Sequence, residues 1–359
     1  MKDTTAQKIL CAIEKAKFQR INLMEVCGTH TMAVAQSGMR SMFPKNLRLL
    51  SGPGCPVCVT PQETIDYAIA LAKQKDVIIT TFGDMIRVPG TESSLEPFSP
   101  KIVYSALDAL MIAKENPTKK VIFIGVGFET TSPTIAATLL AANTMKVQNF
   151  YLLTAFKLIP PALEYIAQAP KINIHGFILP GHVSTIIGSG PYQFLAQKYR
   201  MPGCITGFEP IDILKGILNL VQQITRGEAR IDIEYKRVVK PEGNKKAVQI
   251  LNKVFEPTDA RWRGIGVIKN SGLQLKNKYK KYDVRSKFDI RVPKSIEPRG
   301  CICGKVLLGL NTPDECGLFG NKCTPLSSVG PCMVSSEGAC AAYYKYGDYK
   351  RRVKKAEKD

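Results

Sequence analysis

Between residues 20 and about 225 the chain alternates short apolar, often β-branched runs with Gly, Pro or Thr junctions and amphipathic helical stretches. INLMEV (21–26) leads into CGTH and an Ala-rich stretch, LRLLS (47–51) into GPGCPVC and TPQETIDYAIALAKQ, and DVIITTF (76–82) into GDMIRVPG. The order recurs in VIFIGVG (121–127) before FETTSPTIAATLLAAN, FYLLTAF (150–156) before KLIPPALEYIAQ, IHGFILPG (174–181) before HVSTIIGSGPYQFLAQ, and CITGFEP (204–210) before IDILKGILNLVQQI. Continuous apolar runs, each followed by a helix, predict an α/β fold of parallel sheets covered by helices on both faces.

The polar, Pro-containing break KENPTKK (114–120) predicts two α/β units, residues 20–116 and 117–226, facing each other across a cleft. After Arg226 the pattern changes to longer charged segments. A helix is expected at NKKAVQILNKVF (244–255) and strands at WRGIGVI (262–268) and FDIRV (288–292), ahead of a cysteine-rich end. This predicts a third, α+β domain over 227–359, with a helix in 1–19 that packs on either neighbour.

In open parallel sheets, ligands bind beyond the carboxyl ends of the strands. CGTH, GPGCPVC, TFGD (81–84), GFETT (127–131), PGHVS (180–184) and GFEP (207–210) all fall at a strand-to-helix junction, which predicts one working face.

The N-terminus lacks an apolar core followed by a cleavage site, and no run reaches the ~20 apolar residues of a spanning helix. The expected compartment is the cytosol, where thiols stay reduced, so eleven cysteines read as metal ligands or redox groups. Nine of them form two groups, 27/55/58 and 301/303/316/323/332/340. Cys11 and Cys204 stand apart and read as a small buried hydrophobe or an incidental thiol. Fifty Lys and Arg against thirty Asp and Glu give a net charge of +20, densest in 226–294 and in the tail YKRRVKKAEKD (349–359). No nucleic-acid module or stacking aromatics accompany it, so the charge reads as solvation and as a surface for an acidic protein partner.

Cys55-Pro-Val-Cys58 precedes a helix that Thr60 and Pro61 are expected to open. A helix N-terminus favours thiolate, and the two-residue spacer lets the sulfurs form a disulfide or share a metal. Cys27 and His30 place a thiol and an imidazole on one loop, and with three histidines in the chain His30 is a candidate base, shuttle or ligand. Glu129 ends the strand 121–127, with Thr131 and Ser132 as candidate caps before Pro133; it either accepts protons or holds a basic group. Asp84, His182 and Glu209 occupy equivalent positions. His175 begins a strand and reads as structural.

In the C-terminal group, gaps of fourteen, six and sixteen residues separate Cys301, Cys316, Cys323 and Cys340, and starting at Cys303 changes the first gap to twelve. Four such thiolates suit an iron–sulfur cluster, whereas zinc domains usually show two tight pairs; zinc is the alternative.

With CGTH, GPGCPVCVTP, TFGDMIRVPG, GFETT, PGHVS, GFEP and GPCMVSSEGACAAYYKY in order, the chain resembles the HypD family of [NiFe]-hydrogenase maturation factors over nearly its full length. The resemblance implies two Rossmann-like domains with a cleft and a third domain holding a [4Fe-4S] cluster. It implies a scaffold on which iron receives two cyanides and one carbon monoxide, acting with HypC, while HypE delivers cyanide made from a HypF-derived precursor. Cys27 would be the iron-proximal thiolate beside His30, and Cys55 and Cys58 the redox or iron-holding pair. Cys316, Cys323 and Cys340 map onto the cluster motif with Cys301 or Cys303 as fourth ligand; Cys332 receives no ligand role, and Glu337 tunes the cluster or guides protons. Electrons for cyanide transfer would pass from the cluster to a 55/58 disulfide. Two other readings are a stand-alone iron–sulfur-linked thiol-disulfide oxidoreductase, which leaves Cys27 and His30 without a task, and a zinc-stabilised nucleic-acid binder. A radical enzyme would need a C-x3-C-x2-C run, which is absent.

Overall fold

The computed structural model describes residues 4–169 and 171–347; the basic tail 349–359 lies outside them. The chain lays down β1 (Ile21–Glu25) and β2 (Leu47–Ser51) in parallel, with Ile21 opposite Leu47 and Glu25 opposite Ser51. It then leaves this sheet and builds a second one from β3 (Val77–Thr81), β4 (Lys101–Ile102), β5 (Lys120–Gly127) and β6 (Phe150–Phe156). It returns to the first with β7 (Gly176–Pro180), β8 (Gly203–Thr206) and β9 (Ile231–Ile233). The first sheet has the order β2-β1-β7-β8-β9 and the second β4-β3-β5-β6, and every pairing in both is parallel. β1 and β7 are buried at every position, as strands covered on both faces must be.

Sheet membership therefore does not follow the expected division at 116/117. β3 and β4, from the first expected unit, pair with β5 and β6, while β7 to β9 return to β1. The break at 114–120 is an ordinary connection between the helix Ala106–Glu115 and β5. Which strand joins which edge is decided by long-range pairing, to which a local polar break is blind.

The expected third domain is also distributed. β9 completes the first sheet. The helix Lys245–Val254, capped by Asn244 on the Ala247 N–H (3.0 Å), packs on the helix Ser132–Thr144. An antiparallel hairpin, β10 (Phe255–Trp262) and β11 (Gly266–Leu275), covers the second sheet, where the Leu158 N–H donates to Ser271 O (2.8 Å). WRGIGVI is thus the hairpin tip, because Gly264 (φ +69°) and Gly266 (φ +118°) take backbone conformations that turn the chain. FDIRV forms no strand: Tyr67 Oη donates to Phe288 O (3.2 Å) and Ser295 Oγ to Asp66 (2.5 Å), strapping the segment across the helix Gln62–Ala72. The N-terminal helix Thr4–Lys15 packs on the helix Pro210–Thr225 of the first sheet. The cysteine-rich lobe docks through the helix Ala339–Tyr346 on the helix Gly28–Gln36. There Arg40 bridges buried Glu25 (2.6 Å) and covers the Tyr343 ring (4.8 Å).

Fully buried Trp262 donates to Ser271 Oγ (2.8 Å) and stacks on Phe128 in the loop after β5 (6.3 Å between centroids). Trp262→Ala removes this join between hairpin and sheet and is expected to cost about 3–5 kcal/mol in urea unfolding.

Candidate functional site

Cys27 follows β1 in extended conformation (φ −151°, ψ 131°) and the helix Gly28–Gln36 starts directly after it. Cys55 follows β2, and the two loops touch without a side chain between them: the Gly28 N–H donates to Gly54 O (3.0 Å), and a Cβ on Gly54 would lie 2.4 Å from the Cys27 Cα. Only glycine permits that approach. Cys55 Sγ accepts from the Cys58 N–H (3.2 Å).

A turn from the cysteine-rich lobe closes over these loops. Cys55 Sγ donates to Ser335 Oγ (3.2 Å), and Ser335 donates to Asp84 (3.1 Å), beyond β3 of the other sheet. The Ser336 N–H (3.1 Å) and hydroxyl (2.9 Å) donate to the same carboxylate. Glu337 turns the other way, accepting from Thr29 Oγ1 (2.7 Å) and lying so close over Gly28 that a Cβ there would meet its own Cβ at 2.5 Å. CGTH, GPGCPVC and TFGD are thereby assembled by Ser335, Ser336 and Glu337. Sequence alone assigns Ser335 and Ser336 no role; the signal for them is the pair of hydroxyls beside Glu337 in GPCMVSSEG.

Burial pushes the Cys27 thiol up to about 11, with Glu337 adding to it and the N–H groups of Thr29 and His30 opposing. It also holds Cys58 well above the usual thiol range. Burial therefore opposes the expected thiolate at Cys58. The helix begins at Gln62 with Pro61 as its cap, too far on to compensate, and Thr60 donates to Pro56 O (2.8 Å) in place of capping. A bound metal ion reverses this balance, because a coordinating thiol is deprotonated.

His30 is fully buried. Its Nε2 lies 2.9 Å from Gly207 O and 2.9 Å from Thr206 Oγ1, at the end of β8. A carbonyl only accepts, so Nε2 carries the proton and Nδ1 is left a bare lone pair with no hydrogen-bond partner. Burial lowers its pKa to about 4, which keeps the ring neutral. Phe208 lies between His30 (4.8 Å) and His182 (4.0 Å). His175 Nδ1 accepts from the Asn22 N–H (3.1 Å), a structural role, and Glu209 makes an exposed pair with Arg237 (3.6 Å).

Glu129 accepts the Ile159 N–H (2.9 Å) at the start of the helix Ile159–Gln168, with its Oε2 buried and unpartnered. Thr131 makes no capping bond and Ser132 Oγ is buried without one, so the expected hydroxyl caps are absent there. Fully buried Tyr192 feels both Glu129 and Cys27, so the loops of the two sheets meet around it.

In the lobe, Cys301 Sγ lies 3.2 Å from Cys303 Sγ, and Cys332 interacts with Cys303, Cys340 and Cys58. Cys323 senses Cys303 and Cys301, while Cys316 sits beside Gly300 O (3.8 Å). Among the described residues no three His, Cys, Asp or Glu side chains converge as a single metal ion requires. The donors gathered in this lobe are all sulfur, and the chemistry of such a set suits an iron–sulfur cluster. Cys332, which the motif spacing passes over, is the sulfur that joins this set to the CxxC. Cys204 is buried in β8 and Cys11 is exposed, both away from the site.

Burial raises Glu129 from 4.5 to about 7, so between those values the folded protein binds more protons than the unfolded chain and loses stability as pH rises. Glu129→Gln removes the effect. The stability difference between variant and wild type is expected to grow by roughly 3 kcal/mol from pH ~4.5 to just above pH 7, measured by denaturant unfolding. His30, lowered from 6.5 to about 4, gives the opposite slope over an overlapping window, which cancels in that difference.

Among the described residues no helix is long and apolar enough to cross a membrane. The HypD family model, described as hydrogenase formation hypA family, matches residues 4–347. A hydrogenase expression/formation protein of Methanocaldococcus jannaschii is 46% identical, over 92% of this chain and 93% of its own. The hydrogenase maturation factor HypD of Escherichia coli is 43% identical (91% and 89% covered), and HypD2 of Bradyrhizobium diazoefficiens is 42% identical (91% and 90%). With the motifs spread over both sheets and the lobe, and the match running through all three, the chain belongs to the HypD family of hydrogenase maturation factors.

Proposed function

We propose that this protein is the scaffold on which iron receives two cyanides and one carbon monoxide for the hydrogenase active site, working with HypC and taking cyanide from HypE, which HypF supplies. The carrying observation is the convergence at Cys27, with Gly54 of the CxxC loop against its backbone, Glu337 above it and His30 three residues on. Cys27, Cys55 and Cys58 are soft donors suited to iron bearing strong-field ligands. On binding the cargo iron, Cys27 gives up its proton, and the bare Nδ1 of His30 on the same turn of chain, held at about 4, can relay that proton but not keep it. Burial of these groups keeps water from the intermediate.

Cys316, Cys323 and Cys340 with Cys301 or Cys303 would hold the [4Fe-4S] cluster, and the Cys301 and Cys303 sulfurs, 3.2 Å apart, are alternatives for the fourth place. When bound, the cluster supplies one-electron chemistry. The row of sulfurs from Cys58 through Cys332 to Cys303 supports a redox role for Cys55 and Cys58. Glu129, raised to about 7, can hold or release a proton near neutral pH where the two sheets meet.

Anaerobic co-purification with HypC followed by infrared spectroscopy tests the reading. Cyanide and carbonyl bands are expected in the wild type, absent in Cys27→Ala and reduced at least tenfold in Cys58→Ala. Full bands in Cys27→Ala would remove the basis for the assignment.

A further inference from the structure

The tip of the β10–β11 hairpin carries a cation into the sulfur set. Arg263 is 4% exposed, and its N–H donates to Val59 O, one residue beyond Cys58 (3.0 Å). Next to it, Gly264 abuts the residue after Cys303: a Cβ on Gly264 would come within 2.7 Å of the Gly304 Cα. Of the guanidinium nitrogens, Nη1 reaches Pro89 O at 3.4 Å and Nη2 is buried with no hydrogen-bond partner. Burial presses Arg263 below its ordinary pKa, while Cys303, Cys301, Glu297 and Cys332 act in the other direction. A guanidinium stays charged in proteins. Glu297 is exposed and accepts from the Gly264 N–H (3.3 Å), so solvent screens its pull. A buried cation without an ion partner is unfavourable, and the groups that act to offset it are the sulfurs.

We propose that Arg263 is a positioning residue for the sulfur set, its fixed charge stabilising electron-rich sulfur at Cys301 and Cys303, one of which would hold the cluster, and so raising the cluster's reduction potential. A positive charge favours the form with more negative charge, which is the reduced one. The inference rests on the reading of these cysteines as a redox centre.

The test uses the full chain as wild type, Arg263→Met and Arg263→Lys. After anaerobic loading with iron and sulfide, potentiometric titration followed by electron paramagnetic resonance is expected to show the Met variant harder to reduce by about tenfold, ~59 mV for one electron, and the Lys variant close to wild type. In metal-free protein the thiol–disulfide equilibrium is read against glutathione, two of whose thiols give two electrons and two protons and end as glutathione disulfide. Both protein forms are uncharged there, so the Met variant is expected to match the wild type, which separates a charge effect on the cluster from a change of fold. Arg263→Gln, which keeps a donor for Pro89 O, replaces the Met variant if that fails to fold. An unshifted cluster potential in the neutral variant overturns the proposal, as does a Lys variant shifted as far as Met, because charge is then not the cause. If the wild type takes up no cluster, the cluster reading falls and the proposal falls with it.

Discussion

Everything at the working face depends on one inserted turn. Ser335 and Ser336 bind the Asp84 carboxylate beyond one sheet while Glu337 binds Thr29 and covers Gly28 beyond the other. The two sheets share no strand, so their loops have no hydrogen-bond ladder to set their spacing. A carboxylate accepting three donors is a charge-assisted contact, stronger than a neutral bond and directional. It therefore fixes the Asp84 loop relative to Cys55, whose thiol donates to the same Ser335. The absence of Cβ atoms at Gly28 and Gly54 is the complementary condition, since either methyl would displace Glu337 or the Cys27 backbone.

Burial is the cost of that closure, and it falls on the chemistry. Cys27, Cys58, His30 and Glu129 are all driven toward their neutral forms. A helix N-terminus that in an open loop would lower a thiol pKa is outweighed here. Burial holds the Cys27 and Cys58 sulfurs neutral, so any cation that bound them would release their protons. His30, neutral with Nδ1 bare, is at about 4 too weak a base to keep a proton near neutral pH.

The apolar runs and their junction motifs were legible because each strand is continuous and each loop begins with a recognisable break, so the parallel sheets and the placement of Cys27, Cys55 and Asp84 could be read directly. Sheet membership could not. β3 is as apolar as β1, and nothing in five residues says that β1 will pair with a strand 150 residues later. WRGIGVI shows the same limit from another side: its apolar residues read as a strand, while the glycine positions specify a hairpin tip. Cys332 was passed over because ligand spacing counts gaps along the chain, whereas its place between Cys58 and Cys303 exists only once the lobe has docked.

The interleaved chain path has a consequence for the imidazole. His30 belongs to the first loop, but the atoms that set its tautomer, Gly207 O and Thr206 Oγ1, lie at the end of β8, and the ring that packs on it is Phe208. β8 reaches that position only by pairing with β7, which pairs with β1. Between β2 and β7 the chain builds the whole second sheet, the one that carries Asp84 and Glu129. The protonation state of His30 is consequently a property of the completed first sheet, and the first sheet is completed only by a chain that has already passed through the second.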